Sequence, residues 1–375
     1  VLRGFRSPRV LVVFGTRPEA IKMAPVCRAL EEDGSFEVLT LLSGQHREML
    51  MQVVDFFGIR ISGNLDVMVE GQTLDYVTSS VLCGVGAFLD SNPVDVVLVH
   101  GDTTTTLAAA LAAFYRGVPV GHVEAGLRSG DLRRPFPEEM NRRLTDVISS
   151  FLFAPTRRAA ENLAREGVSG EVFVTGNTVV DALYWALDLA KEPNNADLKK
   201  IPPHKKVVSV TLHRRESWGE PARQICLAVR DVVLSREDVL VVFSVHPNPA
   251  VRSIVEEVLE GLDRVLLVPP LPYGDFVWLL SRSRLVLSDS GGVQEECATL
   301  GVPVLVLRDV TERPEVLESG FGLLVGRDRS RVASEALRCL EEPASGGMRR
   351  TGEESPFGDG LASKRIADIL KRRLL

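Results

Sequence analysis

Cysteine is sparse in this 375-residue sequence: Cys27, Cys83, Cys226, Cys297 and Cys339 are scattered, odd in number and form no CxxC pair. Such a set excludes a disulfide framework and reads as reduced, mostly buried thiols in a reducing compartment. Long apolar runs are missing too. None approaches the roughly 18 residues of a membrane span, so no membrane insertion is expected. The early run Arg9–Phe14 (RVLVVF) is too short for the apolar core of a signal peptide. The cytoplasm is therefore the expected location. Positive charge is in deficit, with 44 Lys and Arg against 50 Asp and Glu. That argues against a broad nucleic-acid footprint, but a few local arginines suffice for a small anionic ligand. A dinucleotide fingerprint is also absent. Gly84-Val85-Gly86 follows a helical stretch and no third glycine arrives. His213-Arg214-Arg215-Glu216 has a metal-like spacing, yet its two arginines would repel a divalent cation. Neither a cofactor nor a metal is expected.

What is present is ordinary globular chemistry: 45% apolar and 25% charged residues. The length predicts two domains of roughly 150–200 residues, each long enough to bury a core. Short β-branched runs alternate with helical stretches. Arg9–Phe14, Glu37–Leu42, Val94–Val99, Val118–Val123 and Val172–Val174 read as strands of one half. Val207–Leu212, Val239–Val245, Val265–Val268, Leu285–Ser288 and Val302–Leu307 read as strands of the other. The alternation predicts parallel sheets built from βαβ units. Gly84-Val85-Gly86 reads as helix interior, and residues 361–374 as a last amphipathic helix with a solvated basic face.

Polar clusters fall where these strands end, which is where ligands bind in open parallel sheets. Gly15-Thr16-Arg17-Pro18-Glu19, Gly101-Asp102 and His122-Val123-Glu124 lie in the first half. His213 to Glu216, His246-Pro247-Asn248-Pro249 and Asp289-Ser290-Gly291-Gly292 lie in the second. They predict a cleft lined from both domains. Ser290-Gly291-Gly292 alone is an N-cap and a tight turn. Opening a helix, it also lets a phosphate approach free N–H groups and a positive dipole end. Glu296, further along that helix, is placed to accept from ribose hydroxyls. In the first half Asp102, Glu124 and the Glu138-Glu139 pair form a carboxylate set. Glu124, ending an apolar strand, needs a compensating charge, and Arg17, Lys22, Arg128, Arg133 and Arg142 are the candidates.

These motifs resemble the non-hydrolysing UDP-N-acetylglucosamine 2-epimerases. The resemblance rests on Gly15 to Pro25 (GTRPEAIKMAP), Gln45 to Met49, His100 to Thr105 (HGDTTT), His122 to Arg128 (HVEAGLR), and Pro135 to Arg142. It continues through Gly176 to Asp181 (GNTVVD), His213 to Glu216, Asp289 to Glu296 (DSGGVQEE), Thr311 to Glu315 and Pro356 to Gly360. It runs in order from about Arg9 onward.

The resemblance implies two doubly wound Rossmann-like domains facing a central cleft, the GT-B type. Residues 1–176 would form the sugar-side domain, completed by a helix at 358–375, and 177–357 the UDP-binding domain. It implies Ser290, Gly291 and Gly292 at the phosphates, Glu296 at the ribose, and Leu271 to Phe276 at the uracil. Arg17, Lys22, His213 and Arg313 would assist at the phosphates. Asp102, Glu124 and Glu138 would surround the sugar with Arg142 nearby, and His213 joins them as a catalytic candidate. A homodimer is implied. Gln45, His46 and Gln72 match a region where some bacterial members bind a second substrate molecule as activator.

The implied activity is reversible epimerisation at C2 of UDP-N-acetylglucosamine by elimination and re-addition of UDP. Three readings stay open beside it. One is a hydrolysing or diacetamido-sugar 2-epimerase, another a GT-B glycosyltransferase, and the third a non-catalytic UDP-sugar sensor.

Overall fold

A computed structural model describes residues 6–44, 47–341 and 355–375. The chain divides into two compact units, Val1–Trp185 with Phe357–Leu375, and Ala186–Pro356. No helix among the described residues is long and apolar enough to cross a membrane.

The first unit is built on β1 (Arg9–Phe14), β2 (Glu37–Leu42), β3 (Gly63–Asn64), β4 (Val96–His100), β5 (Val120–Val123), β6 (Phe151–Ala154) and β7 (Glu171–Val174). All pair in parallel, in the order β3-β2-β1-β4-β5-β6-β7. Its helices are α1 (Arg17–Asp33), α2 (Arg47–Phe57), α3 (Leu74–Ser91), α4 (Thr104–Phe114), α5 (Glu138–Ile148), α6 (Arg157–Glu166) and α7 (Thr178–Leu189), the last running across the division between the units. Burial on both faces explains the unbroken apolar run of β1. The alanines of α4 are fully buried and let that helix lie close against α3 and the sheet. Gly84 and Gly86 lie inside α3, as expected. A Cβ on Gly86 would stand 2.7 Å from the Arg116 guanidinium, so glycine there serves close packing. Helix α1 begins at Arg17, earlier than its apolar residues indicate. Thr16 and Glu19 form a capping box, and Pro18 is tolerated in a first turn.

The second unit carries α8 (Ala196–Lys199), β8 (Lys206–Thr211), α9 (Glu220–Ser235), β9 (Val239–Ser244), α10 (Pro249–Leu259), β10 (Val265–Val268), α11 (Tyr273–Arg282) and β11 (Ser283–Ser288). It continues with α12 (Gly291–Leu300), β12 (Val304–Val306), α13 (Pro314–Glu318), β13 (Gly322–Leu324) and α14 (Arg329–Glu341). Its parallel strand order is β10-β9-β8-β11-β12-β13. Helix α15 (Ala362–Leu374) belongs to the first unit, where it packs on α1. Asp181 accepts from Ser363 N at 2.8 Å and Ala362 N at 3.2 Å and so satisfies the start of α15. The basic face of α15 is solvated, as its pattern implies, with Arg372 and Arg373 exposed, and it carries the surface pairs Lys371–Asp33 and Arg373–Glu171.

Each sheet reverses its order once, between β1 and β4 and between β8 and β11. A crevice opens beyond the carboxyl ends of the strands at such a reversal. Gly15 and Asp102 follow β1 and β4; His213 and Ser290 follow β8 and β11.

Candidate active site

In the first unit, Glu19 organises the loop after β1. Its Oε2 accepts from Gly15 N at 3.0 Å, Thr16 N at 2.8 Å and Thr16 Oγ1 at 2.7 Å. Its Oε1 accepts from Thr103 Oγ1 at 2.7 Å, which ties the β1 and β4 turns together. A Cβ on Gly15 would stand 1.8 Å from Ser43 Oγ, so only glycine fits there. Arg17 is the first residue of α1 and is half-buried.

Asp102 is half-buried and receives Arg142 Nη2, while Arg142 Nη1 donates to Glu139 Oε2 at 2.8 Å. Glu124 is buried, with a left-handed φ of 69° that a non-glycine residue adopts at a cost. That turn brings its Oε2 to Lys22 Nζ, to Asn177 Nδ2 at 3.1 Å and to within 3.6 Å of His100 Nε2. Lys22, one of the cations expected to compensate Glu124, is its buried partner. Glu138, half-buried, opens α5 one turn before Arg142. Beneath them His122 is fully buried. Its Nε2 lies 2.7 Å from Gly101 O and its Nδ1 2.6 Å from Asp146 Oδ1. Asp146 also accepts from Arg128 Nη2 at 2.7 Å.

In the second unit, the fully buried Asp289 accepts from His213 N at 2.9 Å and Arg214 N at 3.1 Å. The His213 side chain is exposed, and its ring lies edge-on to His246 at 6.2 Å between centroids. Burial lowers the His246 imidazole below its ordinary range, against the opposing pull of Asp289. Ser290 caps α12, and Gly291 and Gly292 begin it, with their N–H groups at the helix start. A Cβ on Gly291 would stand 3.1 Å from Arg313 Cζ, so the guanidinium lies against the helix opening. Arg313 Nε donates to Glu295 Oε1 at 2.9 Å and its Nη1 pairs with Glu312 Oε1 at 2.9 Å. Burial alone would push Glu312 up, but the guanidiniums of Arg313, Arg214 and Arg308 together hold it well below the usual carboxylate range. Glu296 is buried further along α12.

In the segment expected at a uracil, Leu271 is buried in the core of this unit, Phe276 is half-buried against it, and Pro269 and Pro270 are exposed. Gln72 is half-buried just before α3, while Gln45 and His46 lie outside the described residues.

His100, Asn177, Asp289, Glu295 and Glu312 were not singled out as site residues from the sequence. His100 and Asn177 sit in matched motifs, but their approach to Glu124 is a tertiary fact. The buried carboxylates of the second unit also sit in those motifs, Asp289 and Glu295 within Asp289 to Glu296 and Glu312 within Thr311 to Glu315, and Arg308 and Arg313 flank Glu312.

The chain belongs to the UDP-N-acetylglucosamine 2-epimerase family, whose profile matches residues 28–371. It is 47% identical over 371 residues to the UDP-N-acetylglucosamine 2-epimerase of Escherichia coli K12, spanning 97% of this chain and 98% of that one. It is similar to the Neisseria meningitidis UDP-GlcNAc 2-epimerase bound to UDP-GlcNAc, with a TM-score of 0.90 and 43% identity over 97% of this chain and 100% of that one. S. aureus MnaA in a co-structure with UDP also gives a TM-score of 0.90, at 41% identity over 98% and 97% of the two chains. The expected fold class, two Rossmann-like α/β units of the GT-B type, is borne out.

Proposed function

We propose that the chain interconverts UDP-N-acetylglucosamine and UDP-N-acetylmannosamine by eliminating and re-adding UDP through 2-acetamidoglucal. The observation that carries this reading is the pair Asp102 and Glu124 at the ends of adjacent strands, each held by a buried cation, Arg142 and Lys22. C2 of the sugar is not next to a carbonyl, so its proton is not usefully acidic. Elimination avoids that barrier. The C2–H electron pair becomes the C1=C2 bond, the C1–O pair leaves with UDP, and the proton passes to a carboxylate. Return of a proton to the other face and re-addition of UDP give the epimer. Two proton-transfer groups are required, one per face; Asp102, Glu124 and Glu138 are the candidates. The departing diphosphate needs cationic and N–H stabilisation, which the start of α12, Arg313 and His213 supply, with Arg17 assisting. Glu296 takes the ribose.

The test is NMR of UDP-N-acetylglucosamine with the enzyme in D2O. The expected product is UDP-N-acetylmannosamine deuterated at C2. Free sugar with UDP overturns reversibility in favour of a hydrolysing enzyme. No C2 exchange without an acceptor points to a transferase or a sensor, and turnover confined to a diacetamido sugar shifts the substrate. We also propose a homodimer. The exposed Phe114 and Tyr115 at the end of α4 and Leu144 and Val147 on α5 support it. Light scattering of the purified chain tests it, a monomeric mass being the adverse result.

A further inference from the structure

His100 ends β4 and is 4% exposed, and neither ring nitrogen has a hydrogen-bond partner among the described residues. Buried polar groups without partners are uncommon, and a catalytic role is one of the reasons a fold keeps one. The same sheet shows how this fold treats a structural imidazole. One strand away, both nitrogens of His122 are engaged, by Asp146 and by Gly101 O. His100 is otherwise firmly placed. Its carbonyl accepts from Thr106 Oγ1 at 2.6 Å, and β-pairing sets it opposite Val123, next to Glu124. The result is Nε2 at 3.6 Å from Glu124 Oε2, just beyond hydrogen-bond distance.

Lys22 Nζ and Asn177 Nδ2 also gather on that oxygen, and both donate to it. Among the side chains gathered on that oxygen, the imidazole is the type whose two ring nitrogens can accept and donate a proton. We propose that His100 is a positioning residue for Glu124, exchanging a proton with its carboxyl and so setting the protonation state in which Glu124 meets the sugar. The step balances simply. The carboxyl proton moves from Oε2 to Nε2, leaving carboxylate and imidazolium, and the reverse transfer restores the start. The charged groups that bear on it are Glu124, Lys22 and Glu19 from α1, and Asp102 with its partner Arg142 on the neighbouring turn. Lys22 favours the Glu124 carboxylate and opposes a lasting imidazolium, so it bears on both ends of the exchange.

This inference rests on the epimerase reading, in which Glu124 faces C2. Its test separates the two. In full-length enzyme, His100→Leu should lower kcat about 10- to 100-fold, with KM changed less than about twofold, and displace one limb of the kcat–pH profile. His100→Gln restores a donor toward Oε2 but no proton exchange, so it should fold like wild type without restoring that limb. Unchanged pH limbs in folded variants overturn the proposal. Independently of any substrate, the 15N-detected titration of the His100 imidazole should move in Glu124→Gln. A titration that stays in place overturns the coupling, even where wild type proves to act on another sugar. If His100→Leu fails to fold, the Gln variant and the titration decide.

Discussion

The main-chain N–H of His213 donates to Oδ1 of Asp289 at 2.9 Å, joining the loop after β8 to the loop after β11. A buried carboxylate accepting two N–H groups makes each bond worth about 1.5–3 kcal/mol. Asp289→Ala should lower the urea unfolding free energy by about 3 kcal/mol. It should also weaken UDP binding at least about tenfold, since the His213 turn and the start of α12 both lose their tie. Calorimetric titration with UDP checks this; an affinity equal to wild type contradicts it.

Lys22 and Glu124 are both buried, so removing one strands the other. Lys22→Met should cost about 3–5 kcal/mol of stability. The double variant Lys22→Met with Glu124→Gln should cost much less than the two single variants added, as expected of a coupled pair. Strictly additive unfolding free energies count against the pairing.

Asp102→Asn and Glu124→Gln separate binding from chemistry. Each should retain UDP affinity within about threefold while turnover drops by about 10²–10⁴. Turnover that survives both changes removes these carboxylates from the proton-transfer role.

At Gly291 a methyl group would meet Arg313 and crowd the N–H groups that open α12. Gly291→Ala should raise the Kd for UDP about tenfold, roughly 1.4 kcal/mol, with little change in the thermal melt. A melt that falls sharply at unchanged Kd would point to packing rather than phosphate approach.

Glu312 ionises below its ordinary value of 4.5. A depressed folded-state value means its contribution to stability is complete above that pH and is lost as pH falls toward the folded value. Glu312→Gln should therefore destabilise the chain at pH 7 and flatten the fall in stability below pH 4.5, read by denaturant titrations across that range. Parallel stability curves for variant and wild type would show that the three arginines do not act through this carboxylate.

The strand-end clusters were legible because parallel strands buried on both faces read as apolar runs, and polar residues stand out where those runs stop. Gly15, Asp102, His213 and Ser290 all fall beside the reversals of strand order. The strand Phe151–Ala154 was not legible: it lies between Ser149-Ser150 and Pro155 and has no β-branched residue, unlike the equally short Val265–Val268. Partnerships across the chain were legible only in part. That Glu124 needs a cation could be read from its place at the end of an apolar strand, but the choice of Lys22 among the candidates, and the approach of Asn177, arise only once the sheet has formed. The burial of Leu271 was obscured likewise, because an apolar residue beside prolines reads equally as core and as a surface for a base.

Helix α15 completes the first unit although it follows all of Ala186–Pro356 in the sequence. On the ribosome, the emerging polypeptide exposes the surface of α1 that α15 will cover while the whole second unit is still being translated. That second unit is continuous in sequence and is free to mature as it emerges. The order of maturation is therefore inverted relative to the order of synthesis: α1, translated before the second unit, waits for contacts that come after it, and Leu370, fully buried in the finished protein, is one of the residues that seal it.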